Sequence, residues 1–86
     1  MDSTPTLADA ILLAAQKHHG QIDKVGSPYI LHPLRVMFRL GSDEERIVGV
    51  LHDIVEQTDV TLEQLEELKY PGRIVEAIDY LTWRKG

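Results

Sequence analysis

The sequence predicts an all-α fold, a compact bundle of about five short helices. Apolar residues recur at helical spacing in several segments, helix-start signals precede those segments, and no segment alternates with period two. With 86 residues, of which 43% are hydrophobic, the chain is long enough for one domain with a small core.

The N-terminal half contains two predicted helices and one loop. The first helix spans about Leu7–His19, with Thr6 as its N-cap and Gly20 as its end. A loop over residues 21–30 follows, interrupted by a glycine and a proline. The second helix begins near His32, because the proline that follows it is tolerated in a first turn, and it ends before Gly41.

Capping signals place the remaining helices. Ser42 and Glu45 have the spacing of a capping box ahead of a third helix at about Asp43–Gln57. The segment Thr61-Leu62-Glu63-Gln64 repeats that signal ahead of a short fourth helix that ends near Lys69. Pro71 opens a fifth helix, whose apolar stripe is Ile74, Val75, Ile78 and Leu81.

Composition narrows the classes of function. The absence of cysteine excludes disulfides and thiolate metal sites. The net charge of −5, with no run of Lys or Arg, argues against a nucleic-acid partner. The longest apolar run is too short to span a bilayer and the N-terminus lacks the pattern of a signal peptide, so we expect no membrane partner and a cytoplasmic location.

The third helix carries the residues best suited to chemistry. Its apolar stripe runs along one side, and Gly49, His52, Asp53 and Glu56 fall on the other. A solvated polar face is the simple alternative. Imidazole with carboxylate, however, suits Mn²⁺, Fe²⁺ or Zn²⁺, and Glu56 could orient a water or move a proton. The glycine would let another group approach the backbone closely.

Three ordered motifs together resemble the hydrolase domain of the RelA/SpoT alarmone family, an HD-type phosphohydrolase fold. They are His19-Gly20-Gln21, then Gly26-Ser27-Pro28-Tyr29-Ile30-Leu31-His32-Pro33-Leu34, then Leu51-His52-Asp53-Ile54-Val55-Glu56-Gln57-Thr58. The match extends from about residue 7 to residue 82. The resemblance implies a single, partial HD-type domain over residues 1–86, the N-terminal part of that fold.

The resemblance also implies an activity and a site. The family hydrolyses the 3′-pyrophosphate of guanosine tetra- and pentaphosphate (ppGpp and pppGpp) with a manganese ion, for which Fe²⁺ or Zn²⁺ are alternatives. It implies that the metal ligands are His32, His52 and Asp53. The implied catalytic positions are Glu56 and Gln57, and the candidate nucleotide-binding residues are His19, Lys24 and Tyr29.

This chain departs from the family pattern at three places. Gln57 stands where the family usually has an aspartate, and glutamine can hydrogen-bond but cannot take a proton. Asp23 stands where an arginine commonly binds nucleotide, with Lys24 beside it as a substitute. The chain stops at Gly86, before the later helix that supplies a further aspartate ligand, so we expect a fragment whose missing helix a partner chain could also supply.

Alternative interpretations stay open at this point. The chain could be a non-catalytic domain that binds nucleotide or protein, or a helical dimerisation domain that associates through surface left uncovered, including Trp83. The three proposed ligands could form only a hydrogen-bonded polar cluster. His18 is expected to be structural or solvated, and Tyr29 could be a packing residue instead of a base-stacking one.

Overall fold

The computed structural model describes residues 4–85, with side chains described through Thr82. It contains six helical segments: α1 Leu7–Lys17, α2 Leu31–Phe38, α3 Asp43–Leu51, α4 Ile54–Gln57, α5 Leu62–Glu67 and α6 Gly72–Lys85. Among the described residues the only β-type pairing is an isolated antiparallel bridge between Ile22 and Pro28. The predicted all-α class is confirmed.

The helix starts are set by local hydrogen bonds. At three of them the N-cap hydroxyl accepts a bond from the backbone N–H three residues later, and that later side chain accepts the N-cap N–H in return. The pairs are Thr6 with Asp9, Ser42 with Glu45, and Thr61 with Gln64. Each exchange satisfies two backbone donors that a helix otherwise leaves without a partner. The predicted starts of α1, α3 and α5 are therefore confirmed.

The core is organised around α3, which packs against α1, α2 and α6. Ala10 and Ala14 on α1 are fully buried, and their small side chains allow close approach to α3. Leu51, at the end of α3, is also fully buried, which contributes about 2 kcal/mol relative to an exposed leucine. Among the described residues, the remaining buried apolar side chains are Pro33, Met37, Ile47, Val50, Ile54, Val60, Leu65, Tyr70, Ile74, Val75 and Ile78.

The predicted third helix is interrupted. Helix α3 ends at Leu51, residues 52 and 53 form a turn, and α4 begins at Ile54, so the prediction of one helix over Asp43–Gln57 was wrong. The side of α3 opposite the apolar stripe is only partly solvated, because Gly49 there is buried against Met37 of α2 and the Leu40 side chain, while Glu45 is exposed. Gly49 permits this contact, since a Cβ atom there would lie 2.8 Å from a Leu40 methyl carbon.

The loop between α1 and α2 is held by its own backbone and by Asp23. The Asp23 carboxylate accepts hydrogen bonds from the backbone N–H groups of Val25 (3.0 Å) and Ser27 (2.9 Å). Gly26 has a φ of 85°, which favours glycine. The Gln21 side-chain amide donates to the backbone carbonyl of Gln57 (2.8 Å), so the loop is fixed to the end of α4.

No helix within residues 4–85 is both long and apolar enough to cross a membrane. The side chain of Trp83, expected to be exposed and to promote self-association, lies outside the described residues.

Candidate metal centre

Three side chains from α2 and the turn after α3 converge at one point. His32 lies in the first turn of α2, and His52 and Asp53 form the turn between α3 and α4. One ligand atom from each of the three lies within 4.8 Å of the other two. The two imidazole Nε2 atoms lie 3.2 Å (His32) and 3.3 Å (His52) from the Asp53 Oδ2 atom. His52 and Asp53 both keep right-handed helical backbone angles, and their side chains meet at this point together with His32 from α2.

The hydrogen bonds of His52 determine which of its nitrogens faces the cluster. Its Nδ1 lies 2.6 Å from the carbonyl oxygen of Gly49, and because a carbonyl can only accept, Nδ1 carries the proton. In the neutral imidazole the Nε2 lone pair then faces the carboxylate oxygen of Asp53 at 3.3 Å. His52 is therefore oriented with Nε2 toward Asp53, the orientation in which a histidine offers this atom as a metal ligand.

Asp53 is fully buried and receives a hydrogen bond from a neighbouring side chain. The Tyr29 hydroxyl donates to its Oδ2 atom over 2.7 Å. Burial, followed by the contact with Asp53 and the nearby charges of Asp53 and Glu56, raises the pKa of the Tyr29 phenol, so the hydroxyl remains a donor at neutral pH. Such an outer contact orients a ligating carboxylate, as is common around protein-bound metals.

Tyr29 also belongs to a row of aromatic rings that joins α1 to α3. Its ring centre lies 5.1 Å from that of His18 and 5.7 Å from that of His32, and the His32 ring lies 5.4 Å from the His52 ring. The rings are tilted against each other, within the range of favourable aromatic contacts. Tyr29 therefore contacts two members of the cluster, the Asp53 carboxylate and the His32 ring.

An open groove of about 730 Å³ leads to the cluster. Its lining comprises residues 21–25, Tyr29, His32, Arg35 and Gln57. The His32 side chain is 47% exposed, so a ligand in this groove would reach the cluster from the His32 side. Two exposed apolar side chains and two cations share the lining: Ile22, Val25, Lys24 and Arg35. This combination suits a ligand that has both an apolar ring and anionic groups.

The other predicted site residues occupy different positions. Gln57 lines the groove, while Glu56 beside it is exposed at the surface of α4. Lys24 also lines the groove and is exposed. His19 is exposed just after α1 and does not contribute to the lining of this groove.

Two residues near the site were not selected by the sequence analysis. His18 is buried (1% exposed), and its Nδ1 lies 3.0 Å from the Gln21 side-chain oxygen. It follows Ala10 and Ala14 at intervals of four residues, and this shared helical face is a signal that could have identified it as buried. Arg35 lies one turn after His32 on α2, a spacing that places both on one face.

No family model matches the chain. The guanosine-3′,5′-bis(diphosphate) 3′-pyrophosphohydrolase of Aquifex aeolicus is 40% identical over 73 residues, covering 80% of this chain and 10% of that protein. The protein of the same name from Borreliella burgdorferi is 35% identical over 77 residues, covering 85% and 11%. A GTP pyrophosphokinase of Myxococcus xanthus is 42% identical over 77 residues, covering 85% and 10%.

This chain is a homologue of the RelA/SpoT alarmone enzymes. It spans about a tenth of the length of the curated relatives it matches. Some matched relatives are named for hydrolysis and others for pyrophosphoryl transfer, so the similarity alone does not assign one reaction to this segment. The residues of the site must decide between hydrolysis and pyrophosphoryl transfer.

Proposed function

We propose that this chain is the metal-binding part of an HD-type phosphohydrolase that removes the 3′-pyrophosphate of guanosine tetra- and pentaphosphate. The observation that carries the proposal is the convergence of His32, His52 and Asp53 beside an open groove. The two relatives named as 3′-pyrophosphohydrolases support this substrate class.

The donor set fits a divalent transition-metal ion. Two imidazole nitrogens and a carboxylate oxygen suit Mn²⁺, Fe²⁺ or Zn²⁺, and manganese is our first choice because of the family resemblance. The orientation of His52, with Nδ1 bonded to Gly49, leaves Nε2 for the ion. When bound, such an ion supplies positive charge that stabilises negative charge developing on a phosphoryl oxygen.

The residues of the chain would divide the remaining tasks. The exposed Ile22 and Val25 would contact the base, and Lys24 would bind an anionic group of the nucleotide. In hydrolysis a water oxygen bonds to the phosphorus and the bond from phosphorus to the 3′-oxygen breaks. Glu56 would accept the proton lost by that water, and the leaving oxygen would take one from solvent. Gln57 would orient the water or the phosphate by hydrogen bonding.

The test of this proposal is hydrolysis measured as release of pyrophosphate from guanosine tetraphosphate, with Mn²⁺ and with chelator. We expect release that requires metal and that His52→Ala abolishes. Arg39→Gln is the control, because Arg39 is exposed at the end of α2 and is not part of the groove lining. Nucleotide and metal binding without any release would contradict hydrolysis.

A second candidate is a binding module that holds the same nucleotide without cleaving it. Gln57 favours this candidate, because a glutamine cannot accept a proton at a position where the family usually has a carboxylate. Replacing Gln57 with aspartate separates the two candidates. An increase in pyrophosphate release would show that the site is competent and limited by this residue, whereas an inert Gln57→Asp variant that binds nucleotide would favour the module.

A further inference from the structure

The loop position that the family resemblance associates with nucleotide binding is already used for structure here. Asp23 holds the loop through its bonds to the backbone N–H groups of Val25 and Ser27. The Asp23 carboxylate is therefore occupied by the loop backbone, and its negative charge would repel a phosphate group. An anionic ligand in this groove needs cations from elsewhere in the lining.

Arg35 is the guanidinium that the groove offers. It lies on α2 one turn after His32, is exposed, and contributes to the lining of the groove. Within the described part of the chain no carboxylate lies within ion-pair distance of it. Two other arginines are engaged, since Arg46 donates to the Leu40 carbonyl and Arg73 makes two bonds to Glu44, and Arg39 is not part of the groove lining.

We propose that Arg35 binds a phosphate or diphosphate group of the nucleotide, taking over the task that Asp23 cannot perform. A guanidinium donates two parallel hydrogen bonds to phosphate oxygens, which a lysine ammonium does not. With Lys24 in the same lining, the groove carries two cations in a chain whose net charge is −5. This assignment rests on the proposed function, because the ligand class comes from there.

The test compares nucleotide binding by the unmodified chain and by matched variants. Calorimetry in metal-free buffer ensures that no bound metal ion contributes to the measured affinity. Arg35→Gln should weaken guanosine tetraphosphate binding by about tenfold, the effect of losing one charge-assisted contact. Arg39→Gln removes the same charge from the same helix outside the groove and should change binding by less than about twofold. Arg35→Lys should give an intermediate loss.

A comparison of GDP with guanosine tetraphosphate identifies the phosphate group that Arg35 binds. If GDP binding weakens as strongly as tetraphosphate binding, Arg35 contacts the 5′-diphosphate. If only tetraphosphate binding weakens, it contacts the 3′ group, and inorganic pyrophosphate should then compete less well in the variant. Because the contact is between charges near the surface, the difference between Arg35→Gln and the unmodified chain should shrink as salt is raised.

The outcomes separate this inference from the proposed function. Equal binding by Arg35→Gln and Arg39→Gln would overturn the role of Arg35, and so would an unmodified chain that binds none of the three ligands. Normal, Arg35-dependent binding without pyrophosphate release in Mn²⁺ would instead contradict hydrolysis and leave the role of Arg35 in place. Since Arg35 is exposed and makes no ion pair among the described residues, all variants should unfold at the same temperature.

Discussion

Tyr29→Phe removes one oxygen atom and with it the hydrogen bond to Asp53. The ring remains, so its contacts with His18 and His32 are kept. The bond is short (2.7 Å), its acceptor is a fully buried carboxylate, and a bond to a charged group contributes about 1.5–3 kcal/mol. If that free energy serves to orient Asp53 for a metal, the variant should bind Mn²⁺ about 10- to 100-fold more weakly.

Free Mn²⁺ gives a strong electron paramagnetic resonance signal that is lost on binding, so a titration measures the affinity directly. Tyr80→Phe is the control, because it removes a phenolic hydroxyl from an exposed residue of α6. Equal Mn²⁺ affinity in Tyr29→Phe, Tyr80→Phe and the unmodified chain would refute the assignment of Tyr29 as the residue that holds Asp53.

Three further predictions concern stability. Ser42→Ala removes the cap of α3 and should lower the free energy of unfolding by about 1 kcal/mol in urea titrations; an unchanged free energy of unfolding would contradict Ser42 as the cap. Leu51→Ala empties a fully buried site and should cost about 3 kcal/mol; a loss below 1 kcal/mol would contradict the assigned core. Burial, and to a smaller extent Asp9, raises the pKa of Tyr70 above its ordinary 10.0, so its stabilisation is present below pH 10 and is lost at higher pH. Tyr70→Phe should therefore lose less stability between pH 9 and pH 11, and identical pH profiles would contradict this cause.

Local signals in the sequence predicted much of the fold. The pairs Ser42 with Glu45 and Thr61 with Gln64 marked two helix starts, because a capping box involves residues only three positions apart. The interruption at residues 52 and 53 was missed because neither residue is a proline or glycine. Its support comes from groups distant in sequence, including the Tyr29 hydroxyl 24 residues earlier.

The candidate site shows the same division between local and distant signals. The resemblance identified the positions of His32, His52 and Asp53, which the structure brings together. The bond from Tyr29 to Asp53 and the position of Arg35 in the groove lining depend on which elements meet, and a single sequence contains no direct record of that. Manganese as the metal and the cytoplasmic location stay predictions.

The metal content of the purified chain tests the central claim most directly. Protein purified without chelator and incubated with Mn²⁺ should retain about one equivalent by mass spectrometry after desalting, and His52→Ala should retain none. Equal and negligible metal in both proteins would contradict a metal centre at His32, His52 and Asp53, and would leave these side chains as a hydrogen-bonded cluster.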